Sequence, residues 1–147
     1  MTALTPVTLP TLRATPSVVR ALVEGVPEEV RQAAPPAEAN AGDWSIATVV
    51  AHLIDGHTRQ VGRIRLIVEQ DDPVLQNVDE WEAMESSGLL GQPTDELLVM
   101  FEELRAADVA WYAALDEAAL ARTGVQLARL IEVAAHAGRG NMRLVDI

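Results

Sequence analysis

Three imidazoles, those of His52, His57 and His136, are the only side chains here that could act as both proton carriers and metal ligands near neutral pH. The chain has no cysteine, so a thiolate nucleophile, a sulfur-ligated metal and a disulfide framework are excluded from the start. Chemistry therefore rests on His and carboxylates. His52 stands three residues before Asp55, and His136 four residues after Glu132, spacings that bring each pair to one side of a helix. Both pairings have an ordinary structural use as solvent-side partners. Asp108 differs, because it falls in register with the apolar positions Leu97, Phe101, Leu104, Trp111 and Leu115. A carboxylate on a packing face must be paired or sit at an opening. At the boundary of such a face, Tyr112 is its expected hydrogen-bond partner.

The elements that must hold these residues read as helices. From Ser45 to about Gln70, Ile46, Val49, Val50, Leu53, His57, Val61, Ile64 and Val68 recur at three- and four-residue steps. Ser45 supplies the cap, and Trp44 just outside it is placed to staple back on Val49. Thr48, His52, Asp55, Arg59 and Arg63 form the more polar edge, which puts His52 at a groove or surface and His57 in the apolar stripe as a half-buried ring. A helix of this length spans roughly 37 Å at 1.5 Å per residue, the width of a whole domain. It ends before Asp71-Asp72-Pro73, since a residue preceding proline avoids the helical basin.

Around this helix the remaining segments fall into place. Met1 to Ala14 reads as an extended arm, and Thr15-Pro16 starts a first helix that Gly25 and Pro27 weaken. Residues 33–42, rich in Ala and Pro, are a connector. Residues 74–93 are an acidic crossover with a short helical piece at Asp79–Met84. Thr94 caps a third helix with Asp95 and Glu96 in its first turn. A short turn over Asp116–Arg122 precedes a fourth helix from about Gln126, with Leu127, Leu130, Ile131, Ala134, Gly138, Met142 and Val145 inward. The fold class expected is all-α, an up-down four-helix bundle with a long crossover between helices two and three, in a single domain over 15–147.

Charge and hydropathy narrow the function classes. All 11 basic residues are arginine and face 22 acids, for a formal charge of -11. That field repels nucleic-acid backbones and acidic membranes, and Arg122, Arg129, Arg139 and Arg143 are too spread for a DNA footprint. No run is long and apolar enough to span a bilayer, and no signal-peptide pattern opens the chain, so a cytoplasmic location is expected.

Trp44-Ser45, Val49-Val-Ala-His52-Leu-Ile-Asp55, Asp72-Pro73 with Asp79-Glu-Trp81, Leu104-Arg-Ala-Ala107 and Leu130-Ile-Glu132, in this order, resemble the DinB/YfiT-like superfamily of four-helix bundles. The resemblance covers about Ser17 to Ile147. It implies a bundle that is commonly dimeric, with a nickel, zinc or other divalent ion held by three His, and with some members acting as thiol-dependent transferases or isomerases. His52 matches the first family ligand. The other two would fall at Ala137 and Asn141, and His136 is one residue, a 100° turn, out of place.

One good ligand and one poor one fall short of the three protein donors a transition metal needs. The first expectation is therefore a small-molecule-binding or interaction protein that keeps a groove near His52, Asp55, Asp108, His136 and Asn141 without a cofactor. A divalent-metal-dependent hydrolase or thiol-dependent transferase, using nickel or zinc on a rearranged set around His52, is the alternative. A purely structural or regulatory helical dimer is the third. Homodimerisation is expected in each case, without nucleic-acid or membrane partners.

Overall fold

The computed structural model describes residues 7–39, 42–126 and 141–143. Helix α1 runs Thr8–Val23, a short α2 spans Glu28–Gln32, and α3 covers Ile46–Glu69. Strand β1 is Val74–Leu75. Helices α4, α5 and α6 follow at Glu80–Ser86, Thr94–Ala113 and Glu117–Leu120, with β2 at Thr123–Gln126 and β3 at Asn141–Arg143. The architecture is helical, built on α1, α3 and α5. Among the described residues no helix is long and apolar enough to cross a membrane.

Helix α3 starts where its cap dictates. Ser45 Oγ accepts the Thr48 amide at 3.0 Å, satisfying one of the donors that a helix N-terminus leaves open. Trp44 turns to His52 and Trp81, with ring centroids 5.0 and 6.0 Å away, while Val49 stays exposed. Val50, Ala51 and Ile54 pack with Val23, Met84, Leu97, Leu98 and Phe101 into the main core. Val61, Ile64 and Ile67 continue the buried face toward the small sheet. Arg20 of α1 grips Glu102 of α5 with two parallel hydrogen bonds of 2.6 and 2.9 Å, fixing how the two helices lie.

Two expectations need correction here. The expected arm is helical from Thr8, and α1 passes through Pro16 instead of starting there. Pro16 removes one ladder hydrogen bond, but it is buried, and Leu12 one turn earlier finds a surface to cover. The second correction concerns the C-terminal part. Thr123–Gln126 is a strand, pairing parallel with β1 (Val74 to Val125) and antiparallel with β3 (Val125 to Asn141). Neither Gln126 nor Asn141–Arg143 is therefore helical. The local reason lies at Gly124, where a Cβ would stand 3.0 Å from Ile67 Cγ1 and 3.3 Å from the Pro73 carbonyl. Any larger residue would have to push these neighbours aside, so glycine favours the close approach of the strand. The body of the expected fourth helix, including Ala137, lies outside the described residues.

Candidate functional site

A cleft of about 410 Å³ opens between α1, α3 and α5. Leu12, Leu53, Val61 and Ile64 form its apolar walls, Gly56 leaves room in the middle, and Thr8, His52, His57, Gln60, Arg105 and Tyr112 supply its polar atoms. A concave, mostly apolar space with a few convergent polar groups is the usual form of a small-molecule site. It exists because α1 begins at Thr8: the turns expected to be an arm form one wall.

Behind the cleft sits a buried charged cluster. Asp108 of α5 is 8% exposed and is held from both sides by α3. His57 Nε2 lies 2.8 Å from its Oδ2, and Arg65 Nη2 donates to its Oδ1 at 2.9 Å. Arg65 also stacks over the Trp111 ring at 4.4 Å, and the His57 ring stands edge-on to Phe101. His57 and Arg65 are two turns apart on one helix, so a single carboxylate from the facing helix can reach both.

Burial first, and then the positive charge of Arg105, push the His57 pKa below its ordinary value and outweigh Asp108, which pulls it up. The ring is thus neutral near pH 7 and donates its Nε2 proton to Asp108. Arg105 lies over the Phe101 face at 5.2 Å, and its Nε is buried with no hydrogen-bond partner. Desolvation lowers its pKa, with Tyr112 and Asp108 opposing. Tyr112 is pushed up to about 12, chiefly by burial and then by Asp108, so its hydroxyl remains a neutral donor. With His57 neutral, Arg65 and Arg105 face the one carboxylate of Asp108. The cluster carries one positive charge in excess beside an apolar cleft.

The residues singled out from sequence separate. His52 lines the cleft, edge-on to Trp44, with its Nδ1 buried and unpartnered. Asp108 is buried as its position in the apolar stripe requires, but its partners are His57 and Arg65 instead of Tyr112. Asp55 was placed on the polar edge; it is 8% exposed, and Arg59 pairs with it at 2.7 Å. It does not line the cleft. Asn141 belongs to β3 and pairs with Val125, so helical spacing does not govern its direction. His136 lies outside the described residues. Sequence reading did not single out Arg105 or Arg65, and it named Tyr112 only as a partner for Asp108; the signal for Arg105 was its isolation as the sole base among the acids of 71–117.

Among the described residues no three His, Cys, Asp or Glu side chains come together in a way that could hold a metal ion. His52 offers one nitrogen, and the nearest cluster carboxylate is already taken. These described donors do not by themselves fit a transition-metal site.

The structure is similar to that of YfiT from Bacillus subtilis, described as a probable metal-dependent hydrolase with an unusual four-helix bundle topology. The match has a TM-score of 0.74 at 18% identity and covers 94% of this chain and 71% of that one. At that identity the likeness establishes a shared fold. No curated protein matches the chain significantly. Residues 11–139 match the family model of the DinB superfamily, and the chain belongs to that superfamily.

Proposed function

We propose that this protein binds a small, largely apolar organic acid in the cleft between α1, α3 and α5. The observation that carries the reading is Arg105: a guanidinium lining a mostly apolar cleft, with a buried Nε that has no hydrogen-bond partner among the described residues. An unanswered buried donor is costly, and a carboxylate or sulfonate entering the cleft would answer it. Tyr112 offers a neutral hydroxyl beside it, and Leu12, Leu53, Val61 and Ile64 would cover the body of the ligand. In this reading the superfamily fold is kept for ligand binding by a self-contained anion site.

Titration with the fluorescent aromatic sulfonate 1-anilinonaphthalene-8-sulfonate tests it. Saturable one-to-one binding is expected, about 10- to 100-fold weaker in Arg105→Met, as befits loss of one charged hydrogen bond. Equal binding by both proteins would overturn the reading.

One observation favours a second reading, a divalent-metal-dependent hydrolase: His52 lines the same cleft and its Nδ1 is buried without a hydrogen-bond partner, and YfiT is described as a probable metal-dependent hydrolase. Calorimetric titration with zinc and nickel separates the two. Tight stoichiometric binding abolished by His52→Ala would favour the hydrolase. A homodimer is proposed in either case, to be checked by sedimentation at micromolar concentration.

A further inference from the structure

Gln60 lies on the rim of the apolar cleft and also lines a second groove, of about 520 Å³, between α3 and the segment from β1 into α4. The second groove has a different chemistry. Arg59, Gln60 and Arg63 of α3 line it with Gln76, Asn77 and Glu80, and Leu66, Val74, Leu75 and Val78 supply its apolar part.

The two arginines are one turn apart on the same edge of α3, but their states differ. Arg59 is ion-paired: its Nε donates to Asp55 Oδ2 at 2.9 Å, and its Nη2 lies 2.7 Å from the same oxygen. Arg63 is not. Its Nη2 is buried without a hydrogen-bond partner, and among the described residues no ion pair engages it. A planar fork of donors, partly desolvated and without an ion-pair partner among the described residues, matches a carboxylate in both charge and geometry. Glu80 on the facing wall restricts what can enter. A densely charged phosphate would be repelled by it, whereas a singly charged carboxylate can lie against Arg63. The amides of Gln60 and Gln76 can each both donate to and accept from hydroxyl groups on such a ligand.

We propose that this groove is a second binding site, for the carboxylate of a polar, hydroxyl-bearing small molecule, with Arg63 as the charged anchor. It shares only Gln60 with the apolar cleft, and its ligand is polar and hydroxyl-bearing where the cleft's is largely apolar. It does not depend on the cleft's being occupied or on Arg105.

The test uses gluconate as probe, with inorganic phosphate at matched ionic strength as the competing oxyanion, followed through backbone amide chemical shifts. Gluconate should cause saturable shifts confined to residues 59–63 and 76–80. Affinity should fall at least 10-fold in Arg63→Gln, fall less in Arg63→Lys, and stay unchanged in Arg105→Met. Amide spectra of the variants show whether each is folded, and Arg63→Lys keeps the test informative if the glutamine variant is not. Four outcomes overturn the proposal: no saturable shift in the native protein, undiminished affinity in folded Arg63→Gln or Arg63→Lys, shifts centred on Gly56 and Tyr112, or phosphate binding more tightly than gluconate.

Discussion

Glu28 of α2 caps a helix to which it does not belong: its Oε1 accepts the Thr94 amide at 2.9 Å and the Thr94 hydroxyl at 3.1 Å, at the start of α5. Pro93, the residue at the cap position, has no side-chain acceptor to offer. The carboxylate also meets the positive end of the α5 dipole. Hydrogen bonds from Gln32 and then from the Thr94 backbone hold the Glu28 pKa below its ordinary value. Glu28→Ala should lower the melting temperature by about 3 °C at neutral pH, with Glu28→Gln losing less. Because the folded pKa is depressed, this contribution is present above pH 4.5 and is lost as pH falls through the folded value. The gap between native protein and Glu28→Ala should therefore close in acid, as thermal unfolding followed by circular dichroism would show.

Arg105 separates stability from binding. A half-buried guanidinium whose buried Nε is unanswered among the described residues is an internal cost, so Arg105→Met, which keeps much of the apolar bulk of the side chain, should leave the melting temperature unchanged or raise it. A fall of more than a few degrees would show that Arg105 supports the fold.

For His57 the sign of the pH dependence follows from its depressed pKa. Its contribution to stability is complete above the unfolded value near 6.5 and is lost as pH falls through the folded value. Imidazole resonances should titrate with a midpoint below 6.5. In Asp108→Asn the midpoint should drop further, because the carboxylate is the influence that raises it. The same variant strands Arg65 as well as His57 and should cost about 2–4 kcal/mol, the lower part of the range allowing for the solvent exposure of Arg65.

Tyr112 is the only tyrosine, so phenolate absorbance reports on it alone. Its titration should centre near 12 in the folded protein. With the folded pKa raised, its stabilisation is present below pH 10 and disappears as pH rises through the folded value. Tyr112→Phe should remove that part of the alkaline instability. A midpoint near 10 in folded protein would mean that the ring is open to water.

The sequence marked helix starts well at Ser45, Asp79 and Asp116, which all accept amides from the turns they open, but not at Thr94, which reads as a cap and is the first residue of α5 after Pro93. It also marked Asp108 as an acid in need of a partner and His57 as a half-buried, hydrogen-bonded ring. That these two satisfy each other was not legible, because 51 residues separate them and only the packing of α5 on α3 brings them together. The start of α1 was misjudged because Pro16 looks like a beginning, whereas the helix runs back past the one lost ladder bond through the half-buried Thr8, Leu9 and Leu12. The strands were missed for a different reason. Four residues, Thr-Gly-Val-Gln, are too few to show alternation, and the partner of β2 lies about fifty positions earlier at Val74–Leu75.

Arg122 reaches back to the end of α3, where its Nε donates to the Ile67 carbonyl at 2.7 Å and its Nη2 to the Gln70 carbonyl and Asp71. These are groups that a helix C-terminus cannot satisfy by itself. The clamp spans 55 positions, so the last turn of the longest helix waits for a residue made much later. On the ribosome, the nascent chain would hold α3 with a frayed end until α5 and α6 had emerged. Closure of that end, and with it of the β1–β2 pair, is then a late and non-local folding event, and a protease acting on the unfinished chain should find the 70–75 segment first.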